Sequence, residues 1–301
     1  MGGWIADFQD SDGYSFVSED FPKDKVVGFG CPDEFINPIM LSNSPGDMKD
    51  AIKVGVGGSD EFINPVIVTE NPGDATEAIK IGVGRINLFR PGNYRFTEEP
   101  GLIEIFPWVI EEGRDSIQFT QEALKGGLGY RLIKEIRLHT DVDIEVERES
   151  GFTISYNLKN LSHERPIQTL WYYHPFVAPG GMGSNCFIDL PDTLRPTFDF
   201  VKPLTKDSEG RLRLPDDFTE IKTQLLEFTP ADMGHLNRFV VGNVNHKKAL
   251  IIEGDFPLAF LRVWYEPRTF SPEPFYHITL SAGDEISWSV KNTIAINPNR
   301  K

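Results

Sequence analysis

Cysteine is scarce in this 301-residue chain, with only Cys31 and Cys186 present. Two cysteines without CxxC or Cys/His spacing form neither a disulfide framework nor a zinc site, and fit a reducing compartment. Histidine is scarce as well: His139, His163, His174, His235, His246 and His277 share no metal-ligand spacing. No apolar run approaches the roughly 20 residues of a spanning helix, and the opening Met-Gly-Gly-Trp-Ile-Ala-Asp turns acidic too soon for a secretory signal. Cations are outnumbered, 30 Lys and Arg against 45 Asp and Glu, which gives a net charge of −15. Such a surface repels phosphate backbones and anionic lipid, so neither nucleic acid nor membrane is an expected partner. The expected compartment is the cytoplasm. The Gly-Val-Gly turns lack the Lys-Ser/Thr of a phosphate loop and the Gly spacing of a dinucleotide site, so no cofactor is expected.

Apolar residues are plentiful, 40% of the chain with 22 Phe, enough for a sizeable core and too many for disorder. The length suits two domains, but large β-sandwiches use as much for one, and no linker divides the sequence. One domain over residues 1–301 is therefore expected. Near its start lies a tandem repeat: Asp33-Glu-Phe-Ile-Asn-Pro38 recurs as Asp60-Glu-Phe-Ile-Asn-Pro65, and 15 of the 25 positions from 33 to 57 match those from 60 to 84. A solenoid needs three or more copies, so this reads as a segmental duplication. The second copy runs on into the following strands and is expected to fill the place the fold requires. The first is expected to be an extra surface hairpin, a swapped arm or a loop.

Beyond the repeat the pattern is β. Asp141–Glu147 and Phe152–Leu158 alternate with period two around the turn signal Glu149-Ser-Gly151, which predicts a hairpin. Further strands are predicted at Ser116–Thr120, Tyr130–Leu138, Thr169–Tyr173, Ala249–Glu253, Ala259–Tyr265, Tyr276–Leu280 and Glu285–Asn297. Helical signal is confined to a turn at Asp74–Ile79 and a short helix near Phe218–Leu226. Many short strands with Gly/Pro turns define an all-β class, sandwich or barrel.

Two aromatic segments carry the chemistry. In Thr169-Leu-Trp-Tyr-Tyr-His-Pro-Phe176, His174 ends an apolar strand directly before a proline. In Trp264-Tyr-Glu-Pro-Arg-Thr-Phe-Ser-Pro-Glu-Pro-Phe275, Glu266 and Glu273 lie in a Pro-rich turn expected between two strands. A His and a Glu delivered from strand ends into an aromatic hollow suit proton transfer on a sugar-like substrate. Arg262 and Arg268 flank the same turn and offer forked donors for a carboxylate or phosphate. Trp171 and Trp264 are read either as buried core or as platforms for a sugar's apolar face.

Together these residues resemble the galactose mutarotase-like (aldose 1-epimerase) superfamily. The similarity begins at Lys80-Ile-Gly-Val-Gly84. It runs in order through the Tyr130–Leu138 strand, Tyr156-Asn-Leu-Lys-Asn160, the His174 strand end and Ala282-Gly-Asp-Glu-Ile-Ser-Trp288, about three quarters of the chain. The resemblance implies a large antiparallel β-supersandwich with few short helices and a sugar cleft on a concave face. It implies interconversion of the α and β anomers of an aldose without a cofactor. His174 matches the strand-end acid toward the ring oxygen. Glu273 is the better match for the base at the anomeric hydroxyl, on its spacing to the final Ala-Gly-Asp turn, and Glu266 is the competing register. Better-known sugar mutarotases place a second His and an Arg early, whereas here no His precedes His139. Lys80 and Arg85 are the early cations in a comparable location and are expected to supply substrate-binding donors, with Trp264, Glu266 and Arg268 as further substrate contacts. Two other readings on the same scaffold stand beside this one. They are a non-catalytic carbohydrate-binding protein, and an isomerase or lyase-like activity on an acidic sugar gripped by Lys80 or Arg268.

Overall fold

Period-two alternation dictates strands, and strands are what the chain makes. The computed structural model of the protein describes residues 5, 8–9, 12–17, 35, 39–41, 76–88, 101–139, 150–181, 183–197, 204–214, 224–230, 237–266 and 269–296. Among these residues three antiparallel sheets form and no helix occurs, so none is long and apolar enough to cross a membrane.

The first sheet has four strands in chain order: Ile39–Leu41 (β1), Glu77–Lys80 (β2), Gly84–Asn87 (β3) and Leu102–Ile105 (β4). The remaining fifteen are Trp108–Glu112 (β5), Ser116–Lys125 (β6), Leu128–His139 (β7), Gly151–Asn160 (β8), Ile167–Tyr172 (β9), Cys186–Asp189 (β10), Leu194–Pro196 (β11), Thr205–Lys206 (β12), Leu212–Arg213 (β13), Gln224–Pro230 (β14), Asn237–Asn243 (β15), Lys248–Gly254 (β16), Phe260–Glu266 (β17), Thr269–Leu280 (β18) and Glu285–Ile296 (β19). They build a ten-stranded sheet, ordered β12-β13-β10-β15-β16-β19-β8-β7-β6-β5, and a five-stranded sheet, ordered β11-β14-β17-β18-β9.

The two larger sheets face each other over an aromatic core. Trp171 of β9 is fully buried and meets Trp288 of β19 edge-on at 5.4 Å, Tyr156 of β8 at 5.1 Å and Phe256 at 5.2 Å. Aromatic pairs in such geometry add about 0.5–1.5 kcal/mol each beyond area burial. Trp171 is thus a core residue and not a platform for a sugar. Alternation sends the neighbouring Tyr172 to the opposite face, where it forms a separate cluster with Leu170, Phe275 and Phe260.

Both copies of the repeat contribute to the fold. Phe35 of the first copy is 2% exposed, bridges Trp171 through the backbone and packs edge-on against Trp288 at 6.2 Å. β1 of the first copy pairs with β2 of the second, Ile39 opposite Ile79. The place is therefore shared, with one aromatic anchor and one strand drawn from the first copy.

The Lys80-Ile-Gly-Val-Gly84 stretch is a tight turn between β2 and β3. Gly82 adopts φ +83°, which side chains disfavour. At Gly84 a Cβ would lie 2.0 Å from the Glu104 carbonyl oxygen, so β4 could not approach any larger residue. A buried chain of hydrogen bonds clamps this turn to the large sheet. Gly82 N–H donates to Tyr130 Oη at 3.1 Å, the Tyr130 hydroxyl donates to Gln121 Oε1, and Gln121 Nε2 donates to the Phe106 carbonyl at 2.9 Å.

Three local expectations change. Residues 77–80 form β2 in place of a turn, and residues 224–226 open β14 in place of a helix, because pairing with β3 and β17 outweighs weak local preference. The hairpin partner of β8 is β7, with His139 opposite Gly151, and the other edge of β8 is taken by β19. Asp141–Glu147 lies outside the described residues.

Candidate active site

Three prolines shape the site. β18 pairs with β9 as far as Phe275 opposite Tyr172. Beyond that point Tyr173-His-Pro-Phe176 runs against Ser271-Pro-Glu-Pro274. Proline has no amide N–H, so Pro175, Pro272 and Pro274 withhold the donors that a continued ladder needs. Register survives all the same. Tyr173 N–H donates to the Pro274 carbonyl at 3.2 Å, and Val177 and Phe270 exchange bonds of 2.8 and 2.9 Å. Counting from either anchor, His174 stands directly opposite Glu273, and Phe176 opposite Ser271. The Ser-Pro-Glu-Pro segment, expected in a turn, is the interior of β18, and the hairpin closes instead at Glu266 opposite Thr269.

Residues directly opposite in an antiparallel pair present their side chains on one face. On the face turned away from the core, three rows follow from the register. One reads Glu227, Arg262, Glu273, His174 across β14, β17, β18 and the segment after β9. A second reads Leu225, Trp264, Ser271, Phe176, and a third Phe260, Phe275, Tyr172.

The first row is ionic. His174 Nε2 lies 3.4 Å from Glu273 Oε1, and their side chains are 20% and 9% exposed. The other ring nitrogen, Nδ1, lies 3.1 Å from Tyr172 Oη. The imidazole packs against Phe176 at 4.4 Å and Tyr172 at 5.1 Å, so its plane is fixed by rings and its two nitrogens by polar partners. Arg262 Nε donates to Glu227 Oε2 at 3.1 Å. Its guanidinium lies over the Phe260 and Phe275 rings, 5.3 and 5.2 Å from their centroids. Those two rings stack at 4.3 Å, and Phe275 stacks on Tyr172 at 5.0 Å. A carboxylate and an imidazole in contact, each held by its surroundings, can exchange protons with two neighbouring oxygens of one bound molecule.

The other expected contacts distribute unevenly. Trp264 is half-buried beside the ionic row, its ring edge-on to Phe176 at 5.7 Å. Glu266 ends β17. Arg268 lies outside the described residues. Lys80 is buried at the end of β2 opposite Gly84. Arg85, on β3, bonds Glu77 at 2.9 Å and approaches Glu104 at 3.4 Å, so its charge is engaged within the four-stranded sheet. Sequence reasoning missed Tyr172 and Glu227 as site residues. The i, i+2 relation of Tyr172 to His174 was the available signal for one; Glu227 is revealed only by strand register. Among the described residues no group of three His, Cys, Asp or Glu is placed to hold a metal ion.

Searches against family models and against curated proteins find no match. Solved structures do match. A candidate aldose 1-epimerase from Escherichia coli K12 aligns over 98% of this chain and 93% of its own, with a TM-score of 0.57 at 14% identity. A galactose mutarotase-like protein from Clostridium acetobutylicum aligns over 98% and 90%, with a TM-score of 0.55 at 12% identity. A galactose 1-epimerase from Lactobacillus acidophilus aligns over 95% and 86%, with a TM-score of 0.52 at 11% identity. The fold is the all-β, antiparallel galactose mutarotase-like fold, as the resemblance implied.

Proposed function

We propose that this protein is a mutarotase-like carbohydrate enzyme that interconverts the α and β anomers of an aldose or sugar derivative. The observation that carries the reading is the His174–Glu273 pair, 3.4 Å apart on the outer face of the five-stranded sheet. The anomeric hydroxyl and the ring oxygen of an aldose are bonded to the same carbon. An acid and a base that serve both must therefore each come within hydrogen-bond reach of neighbouring oxygens, which two groups on one face in adjacent strands can do.

In this mechanism Glu273 takes the proton of the anomeric hydroxyl while His174 gives its Nε2 proton to the ring oxygen. The bond from C1 to the ring oxygen breaks and C1 becomes an aldehyde carbon. Rotation about the C1–C2 bond presents the other carbonyl face. Ring closure returns one proton from Glu273 and one to His174, so both groups end as they began. Tyr172 holds Nδ1 and thereby the orientation of the ring, and positioned acid–base groups of this kind contribute about 10²–10⁴-fold. Trp264 and Phe176 form an apolar wall beside the pair, suited to the C–H face of a sugar.

Exchange between anomers is read directly by NMR on glucose, galactose, their 6-phosphates and glucuronate at catalytic protein concentration. Acceleration of one neutral sugar supports the enzyme reading and names its substrate. Saturable binding without acceleration indicates the sugar-binding reading, and preference for glucuronate the acidic-sugar reading.

A further inference from the structure

The ionic row extends past the acid–base pair, and its outer half has no role in the mechanism above. Arg262 is the cross-strand neighbour of Glu273, on the strand opposite to His174. It is bonded on its far side to Glu227, at 3.1 Å, and the two side chains are 14% and 16% exposed. Screening by solvent is weak at that depth, so these charges act on the rest of the row. Strands are spaced about 4.8 Å apart, which puts Arg262 roughly 5 Å from Glu273 and roughly 10 Å from His174 along the row. Among the described residues of the sheet, the other titratable groups on this face are Tyr172, His277, Arg195 and Glu266, the last placed by register two rows from Arg262 at the end of β17. Tyr172 touches His174 through its hydroxyl. His277 lies two rows away along β18, opposite Leu170. Arg195, at the far edge on β11, donates to the Asp192 and Leu194 carbonyls.

The row carries two carboxylates, one guanidinium and one imidazole. With Glu227 ionised and Arg262 charged it is electrically neutral when Glu273 and His174 hold one transferable proton between them, on either group. Ring opening starts from the arrangement with that proton on His174 and Glu273 ionised. We propose that Arg262 and Glu227 are positioning residues that together set this arrangement, the guanidinium keeping Glu273 an ionised base and the Glu227 carboxylate offsetting it so that His174 keeps the transferable proton. This deepens the mutarotase reading. Arg262 and Glu227 act with opposite sign, the guanidinium favouring loss of protons along the row and the Glu227 carboxylate favouring their retention.

The test is direct titration of the His174 imidazole by NMR in the full-length protein. In R262M the midpoint is expected to rise by about 0.5 to 1 pH unit, and in E227Q to fall by a similar amount. R262M/E227Q removes both charges and is expected to return the midpoint close to wild type, with R262K near wild type throughout. If R262M does not fold, the fall in E227Q and its reversal in the double variant carry the test. Midpoints that stay fixed, or that move in the same direction in both single variants, overturn the proposal. The titration needs no turnover, so a protein inactive on every sugar would refute the enzyme reading and leave this result standing. Where turnover is present, the pH–rate profile moves in the same opposite directions, which a merely structural ion pair would not produce.

Discussion

The hydroxyl of Tyr172 lies 3.1 Å from Nδ1 of His174, on the side of the imidazole away from Glu273. The second nitrogen of the ring is thereby given a partner, and the orientation of the first is fixed toward the carboxylate. Removing that hydroxyl leaves the stacked rings in place. Y172F is expected to slow anomer exchange about 5- to 10-fold, equivalent to a hydrogen bond of about 1 kcal/mol, with sugar binding and the unfolding midpoint unchanged. An exchange rate equal to wild type would remove Tyr172 from the account.

Phe35 and Phe62 are equivalent positions of the two repeat copies, and the place between Trp171 and Trp288 is filled by Phe35. Truncating a buried phenylalanine costs about 3–5 kcal/mol, through lost burial and the cavity left behind. F35A is accordingly expected to lower unfolding stability by that amount in urea titrations. A stability equal to wild type would mean that Phe35 does not hold this place in solution.

Cys186 sits fully buried in β10, its thiol donating to the Gly181 carbonyl at 3.2 Å. Burial pushes the thiol up to about 11, against the pull of the Asn243 amide at 3.7 Å. The nucleophile is the thiolate, so at pH 8 almost none of this side chain is reactive. In a C31S background, Cys186 is expected to resist iodoacetamide in native protein and to label promptly in denaturant. Rapid native labelling would show that β10 opens far more easily than its burial implies.

What could be read from the sequence follows a physical divide. Period-two alternation is local, so β7, β8 and β19 are legible to within two residues of their ends, and β6 over its first half. The aromatic content of Thr169–Phe176 and its terminal proline marked His174 for the same reason. Glu273 was preferred to Glu266 by spacing, and it is Glu273 that faces His174. The interior of β18 was read as a turn because Pro272 and Pro274 look like punctuation. In the fold they act through the donors they lack, ending the β9 ladder where the site needs room. The Glu227–Arg262 pair was beyond reach, since only the pairing of β14 with β17 brings residues 35 apart onto one row. Arg85 was expected to serve the substrate, but its nearest carboxylates come from strands β2 and β4, whose registers no local pattern announces.

The central claim is that Glu273 and His174 exchange protons with the anomeric hydroxyl and ring oxygen of one sugar. Its most direct test is the NMR anomer-exchange rate on the preferred aldose, for the wild-type protein beside E273Q and H174Q, with sugar affinity measured in parallel. The account predicts that each substitution lowers the exchange rate by about 10²–10⁴-fold while the protein stays folded and still binds the sugar. Exchange at the wild-type rate in either variant would contradict it.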